Sequence, residues 1–212
     1  VVELPAHEMP ARVPEPPKRS AAAGVATPEA EPKVDDRMTR RKLKHLLDTY
    51  GEFPEKYRIL IWKTLLCLPQ NRGAHFALKK QGTHSAFETL EDDYPIRNTV
   101  LLDRLSGLVS SLAHWTPLFG QVTYLPAFVF PFIKVFGADE LSCFEAAATI
   151  LSNWCKEWFE MFPGPPLQLL ARVEDSLIKA DPGLAQAMSK TGGVQVHAWT
   201  LLQSLFSEVL SR

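Results

Sequence analysis

Residues Gly51 to Trp62 read GEFPEKYRILIW, and the spacing of Gly51, Pro54, Arg58 and Trp62 organises the reading of everything around them. Pro54 suits the first turn of a helix, because its ring holds φ near the helical value and its missing N–H would have had no partner there. Arg58 and Trp62 stand four apart and so share a face, which predicts a buried indole with the guanidinium stacked near it. The helix begun at Pro54 should run to Leu68 and stop at Pro69.

Outward from this stretch the apolar spacing stays helical. Upstream, residues 37–50 carry Arg37, Arg40, Arg41, Lys42 and Lys44 on one side and Leu43, Leu46 and Leu47 on the other. Such a helix reads first as a solvated face, with contact to an anionic surface as the alternative. Downstream, a short helix is expected from Arg72 to Lys80, ending at Gly82. Leu101, Leu105, Leu108, Leu112 and Trp115 alternate spacings of four and three, the mark of a core-facing helix. Leu141, Phe144, Ala148, Leu151, Cys155, Trp158 and Phe162 extend such a stripe further, with Ser142 and Glu145 at capping-box spacing. Phe162-Pro-Gly-Pro-Pro166 must break it. Two more helices fit 167–179 and 195–210, separated by Asp181-Pro-Gly and Gly192-Gly193. No stretch alternates with period two, so the predicted fold class is all-α.

Composition narrows the function. The chain has 212 residues and a net charge of −1, which gives no bulk electrostatic case for nucleic acid or an anionic membrane. Its three cysteines, Cys67, Cys143 and Cys155, are scattered without a C-x-x-C pair, against a zinc site or disulfide framework and in keeping with a reducing, cytoplasmic setting. VTYLPAFVFPFIKVF, residues 122–136, is apolar but too short to span a bilayer, and it contains Lys134 and two prolines, so it reads as a buried core helix. Residues 1–36 are rich in Pro, Ala and Glu and are expected to be a disordered linker, its PEPPK stretch able to adopt polyproline II. The N-terminus resembles no signal peptide, and a start at Val1 reads as a fragment of something longer.

Enzymatic constellations are missing. The six histidines form no H-E-x-x-H, no serine lies in G-x-S-x-G, and without a Walker loop neither nucleotide nor another cofactor is expected. Glu91, Asp92 and Asp93 read as a solvated acidic loop rather than a metal site.

The pattern G-x-x-P-x-x-x-R-x-x-x-W at Gly51, Pro54, Arg58 and Trp62 resembles the opening of a TBC domain. Four further landmarks follow in that family's order: the turn Tyr94-Pro-Ile-Arg97 before a leucine-striped helix, Tyr124 opening an aromatic helix, Phe144 early in a long helix, and the Trp199 to Phe206 helix. The likeness covers Tyr50 to the end and makes residues 37–212 a TBC-like domain lacking its last helices. By this resemblance the fold is an orthogonal helical array that activates GTP hydrolysis by Rab-type small GTPases. Two fingers would do the work. An Arg from I-x-x-D-x-x-R neutralises charge on the transferring phosphoryl group, on the order of 10³ to 10⁵ in rate. A Gln from Y-x-Q orients the attacking water.

Both positions depart from the pattern. Anchoring the first motif on Arg97 puts Tyr94 at the Asp and Glu91 at the apolar position, whereas anchoring on Asp93 puts Ile96 at the Arg. In the second, Tyr124 matches but Pro126 replaces the Gln and Ala127 follows. Proline has neither a side-chain amide nor an N–H to offer. Gln121, three residues before Tyr124, is the weaker stand-in on geometric grounds. The resemblance thus implies a protein-binding adaptor with no working catalytic residue, partnered by proteins such as small GTPases. An active GTPase-activating protein using Arg97 is the alternative. Tyr94-Pro-Ile-Arg97, Leu112-Ala-His-Trp115, Tyr124-Leu-Pro126, Cys143-Phe-Glu145 and Phe206-Ser-Glu-Val-Leu210 further resemble the subfamily with WD repeats before the TBC domain and a coiled coil after it. That subfamily implies a place at the centrosome, centriolar satellites or the forming cilium.

Overall fold

Helix α1, Asp36–Tyr50, ends where the chain needs a left-handed residue. Gly51 supplies it at φ +75° and returns its N–H to the Leu47 carbonyl at 2.8 Å, which only a residue without Cβ does at no steric cost. The computed structural model to which this helix belongs describes residues 36–209, and every regular element among them is helical, without a strand. The Pro-rich segment 1–35 and its PEPPK stretch lie outside the described residues.

The decisive stretch folds more tightly than its spacing suggests. Pro54 precedes a single 3-10 turn, Glu55–Tyr57, and the α-helix proper, α2, covers only Arg58–Leu65. It stops before Pro69 because Leu68 returns its N–H to Lys63 and Cys67 to Thr64, closing a Schellman turn with Cys67 at φ 51°. Trp62 packs edge-on against Phe132 and Phe136, with ring centroids 6.3 and 6.1 Å away. Arg58 does not stack on it. Its guanidinium lies 3.9 Å from Glu55, one turn back.

Helix α3, Arg72–Lys79, leads through a short 3-10 turn at Ser85–Phe87 and the four-residue α4, Leu90–Asp93, to α5, Thr99–Trp115. The α5 stripe buries Leu105, Leu108 and Leu112 as expected, but Trp115 at its end stays 45% exposed. The apolar run forms α6, Leu125–Phe136, which continues through Pro131 and contributes Phe128, Val129, Phe132 and Ile133 to the centre of the core. Burying each such side chain stabilises the fold by about 1.5–3 kcal/mol.

Helix α7, Glu140–Asn153, packs on α5 and α6 and is shorter than the stripe through Phe162 implies. It ends at Trp154, 66% exposed, and a 3-10 turn, Lys156–Phe159, then brings Cys155 and Trp158 back into the core. The period survives while the helix does not. The capping box is absent too. Asp139 caps α7, accepting the Ser142 N–H at 3.1 Å, which leaves Glu145 for another task.

Helix α8, Leu167–Ala180, packs on α10, Val194–Gln203, and on α9, Pro182–Ser189. The sequence reading missed α9, capped by Asp181 accepting the Leu184 N–H at 2.9 Å. It extended α10 too far: Leu205 and Phe206, both at positive φ, end that helix early.

Candidate functional site

Two loops carry the positions singled out from sequence, and the fold brings them together. The first runs from the end of α4 to the start of α5. Tyr94 closes α4, Ile96 turns half-buried toward the core, Arg97 is exposed, and Asn98 caps α5 by accepting the Leu101 N–H at 3.2 Å. The second runs from the 3-10 turn Pro117–Gly120 into α6. Here Gln121 and Thr123 are exposed, Val122 is buried, and Tyr124 stands at the N-cap.

A side-chain bond joins them. The Tyr94 hydroxyl donates to the Thr123 carbonyl oxygen at 3.2 Å. Between the loops lies a cleft of about 390 Å³ whose lining includes Phe87, Leu90, Asp93, Tyr94, Gln121 and Pro126. Burial raises the Tyr94 phenol above its ordinary pKa, reinforced by the carboxylates of Asp93 and Glu208. Asp93 brings a carboxylate to that lining, and Glu88, Glu91 and Asp92, close to it in sequence, are exposed. A carboxylate in the lining repels an approaching phosphate.

Each expected site residue has a definite place. Pro126 lies in the first turn of α6, where its missing N–H costs nothing, and it is buried. Gln121 lines the same cleft from an exposed position, while Arg97 sits on the turn outside that lining. Tyr124 turns the other way. Its ring packs edge-on against Trp199 at 5.2 Å and lies 6.5 Å from Trp158. Its hydroxyl is buried with no hydrogen-bond partner, and burial, with Cys155 adding, pushes its pKa up to about 12. Gly51, Pro54, Arg58 and Trp62 stay away from the cleft and organise α1 and α2. Among the described residues no cluster of three metal-binding side chains occurs, and no helix is long and apolar enough to cross a membrane.

Sequence reasoning missed Glu145. Buried at 5% exposure, its carboxylate accepts the backbone N–H groups of Gln70 at 3.0 Å and Asn71 at 2.6 Å, clamping the α2–α3 connection to α7. The available signal was a charged residue on a helix face shared with Leu141 and Ala148.

The chain is 43% identical over 194 residues to TBC1 domain family member 31 of Oryzias latipes, a match covering 91% of the chain and 18% of that protein. The chain is homologous to TBC-domain proteins. TBC1 domain family member 31 of Xenopus tropicalis is 46% identical over 82% of the chain and 16% of its own length, and the Homo sapiens protein 44% over 84% and 17%. The chain thus spans less than a fifth of the TBC relatives it matches. No family model matches it, and no solved structure does. The all-α architecture fits a TBC domain.

Proposed function

We propose that residues 37–212 form a TBC domain whose finger positions no longer support hydrolysis, and that it serves as a protein-binding adaptor. One observation carries this reading. The side chain at the Gln-finger position is a buried proline, Pro126, which cannot hold a water in line with a phosphoryl group. Two others support it: Arg97 sits on a turn outside the cleft lining, and that lining includes the Asp93 carboxylate. Catalytic groups lose their effect when displaced by about an ångström.

The deciding experiment is single-turnover GTP hydrolysis across a panel of Rab GTPases, with affinity capture in parallel. The adaptor reading expects captured proteins and hydrolysis at the intrinsic rate. Acceleration of about a thousandfold would end it. The alternative, an active GTPase-activating domain, draws on the exposure of Arg97 and on Gln121 at the cleft. It requires acceleration that Arg97→Ala abolishes.

At a finer level we propose membership of the subfamily in which WD repeats precede the TBC domain and a coiled coil follows. Its setting would be cytoplasmic, at the centrosome, its satellites or the forming cilium. The names of the relatives support the TBC part of this reading, and the finer part rests on the segments around Tyr94, Tyr124 and Cys143. Localisation of the tagged full-length protein, with and without residues 37–212, tests it.

A further inference from the structure

From Arg41 to Tyr50 the side chains of α1 that are described take no part in the hydrophobic core, and none of them is buried. Its apolar residues nevertheless follow a strict helical stripe, Leu43, Leu46, Leu47 and Tyr50, at i, i+3, i+4 and i+7. Leu46 and Leu47 are each 40% exposed and Tyr50 is 71% exposed. Lys42 and Lys44 are exposed on either flank of the stripe, and Arg41 is exposed on the far side of the helix. The sequence Asp36–Tyr50 holds five Lys and Arg against two Asp, in a chain whose net charge is −1. Positive charge is therefore concentrated on a helix that presents an uncovered apolar face.

The occupant of that face follows from charge and size. A second copy of α1 is disfavoured, since like charges would meet and the stripe lasts about one heptad, where coiled coils need roughly three or more. A specific protein interface needs about 800 Å² from each partner, more than four side chains on two turns supply. An anionic bilayer asks less, because the apolar face enters the headgroup boundary while each cation adds its own attraction. Tyr50, apolar with a polar tip, suits the headgroup level. Exposed Lys56, Tyr57 and Leu60 continue the same composition just beyond Pro54.

We infer that α1 is a peripheral membrane-contact helix, laying Leu43, Leu46, Leu47 and Tyr50 into an anionic lipid surface with Lys42 and Lys44, on either flank of that stripe, against the lipid headgroups. The domain is then held at the surface of a bilayer without crossing it.

Co-sedimentation of the 212-residue chain with phosphatidylcholine vesicles containing about one-third phosphatidylserine tests this against pure phosphatidylcholine. Binding to the anionic vesicles alone is expected, with release at about 0.5 M salt as screening shortens. Leu46→Glu with Leu47→Glu should lower the bound fraction about tenfold or more. Lys42→Glu and Lys44→Glu together should abolish binding. All four side chains are exposed, so thermal unfolding should match that of the parent chain. Failure to bind anionic vesicles at low salt overturns the inference, as does equal binding to both vesicle types or indifference to either variant. Capture of an acidic helical peptide through α1 by a chain that ignores vesicles overturns it too.

Discussion

Tyr94 and Thr123, twenty-nine residues apart, meet in a hydrogen bond of 3.2 Å that ties the turn carrying Arg97 to the loop leading into Pro126. The two loops that carry the positions singled out from sequence therefore converge. They present a buried proline, an exposed arginine outside the cleft lining, and the Asp93 carboxylate within that lining.

Removing the tie isolates its contribution. Tyr94→Phe should cost about 0.5–1.5 kcal/mol, toward the lower figure because the bond is exposed to water. Urea unfolding measures the loss, and faster proteolysis within residues 94–98 should accompany it.

On the adaptor reading, an amide placed at position 126 should not confer catalysis. Pro126→Gln places a polar group at a buried position and is expected to destabilise the fold by about 1–3 kcal/mol. Rab GTP hydrolysis should stay at its intrinsic rate. Acceleration by this variant would mean that the cleft retains working geometry and lacks one side chain only.

Glu145 should matter more than any surface charge. Glu145→Ala leaves two backbone N–H groups without their acceptor, at a cost of about 2–3 kcal/mol in chemical denaturation. Glu145→Gln keeps one carboxamide oxygen and should recover part of that loss. Equal stability of all three proteins would show that water replaces the clamp.

Tyr124 offers the opposite case. Its hydroxyl is buried without a partner, so Tyr124→Phe should be neutral or slightly stabilising near pH 7. The phenol ionises near pH 10 in the unfolded chain and near 12 in the fold, so between those values the folded state binds the extra proton. Stability must then fall as pH rises from 10 toward 12, and Tyr124→Phe should flatten that fall. An unchanged alkaline profile would count against burial of the hydroxyl.

The thiols should separate by burial. Cys67 is exposed and should react with a thiol reagent in the native protein. Burial pushes Cys143 and Cys155 up to about 12, leaving little thiolate near neutrality, so both should react only after unfolding. Counting modified thiols in native and denatured samples checks this.

The helix stripes were legible because burial repeats with the helical period: Leu105, Leu108 and Leu112 in α5, and Phe144, Ala148 and Leu151 in α7, reach the core as their spacing demands. Chain ends of helices were less legible. The stops at Leu65, Asn153 and Gln203 come from backbone bonds and left-handed residues such as Cys67 and Leu205, which no Gly or Pro announced.

The amino acids alone determined the all-α class, the order of the landmarks and the absence of an amide at position 126, since these depend on residue type and spacing. Only the tertiary structure decided that Tyr94 reaches Thr123, that Glu145 holds the Gln70–Asn71 backbone rather than capping α7, and that Arg58 leaves Trp62 for Glu55. Those outcomes rest on where distant segments are packed, and a local repeat carries no information about which group from another helix arrives to compete for a hydrogen bond.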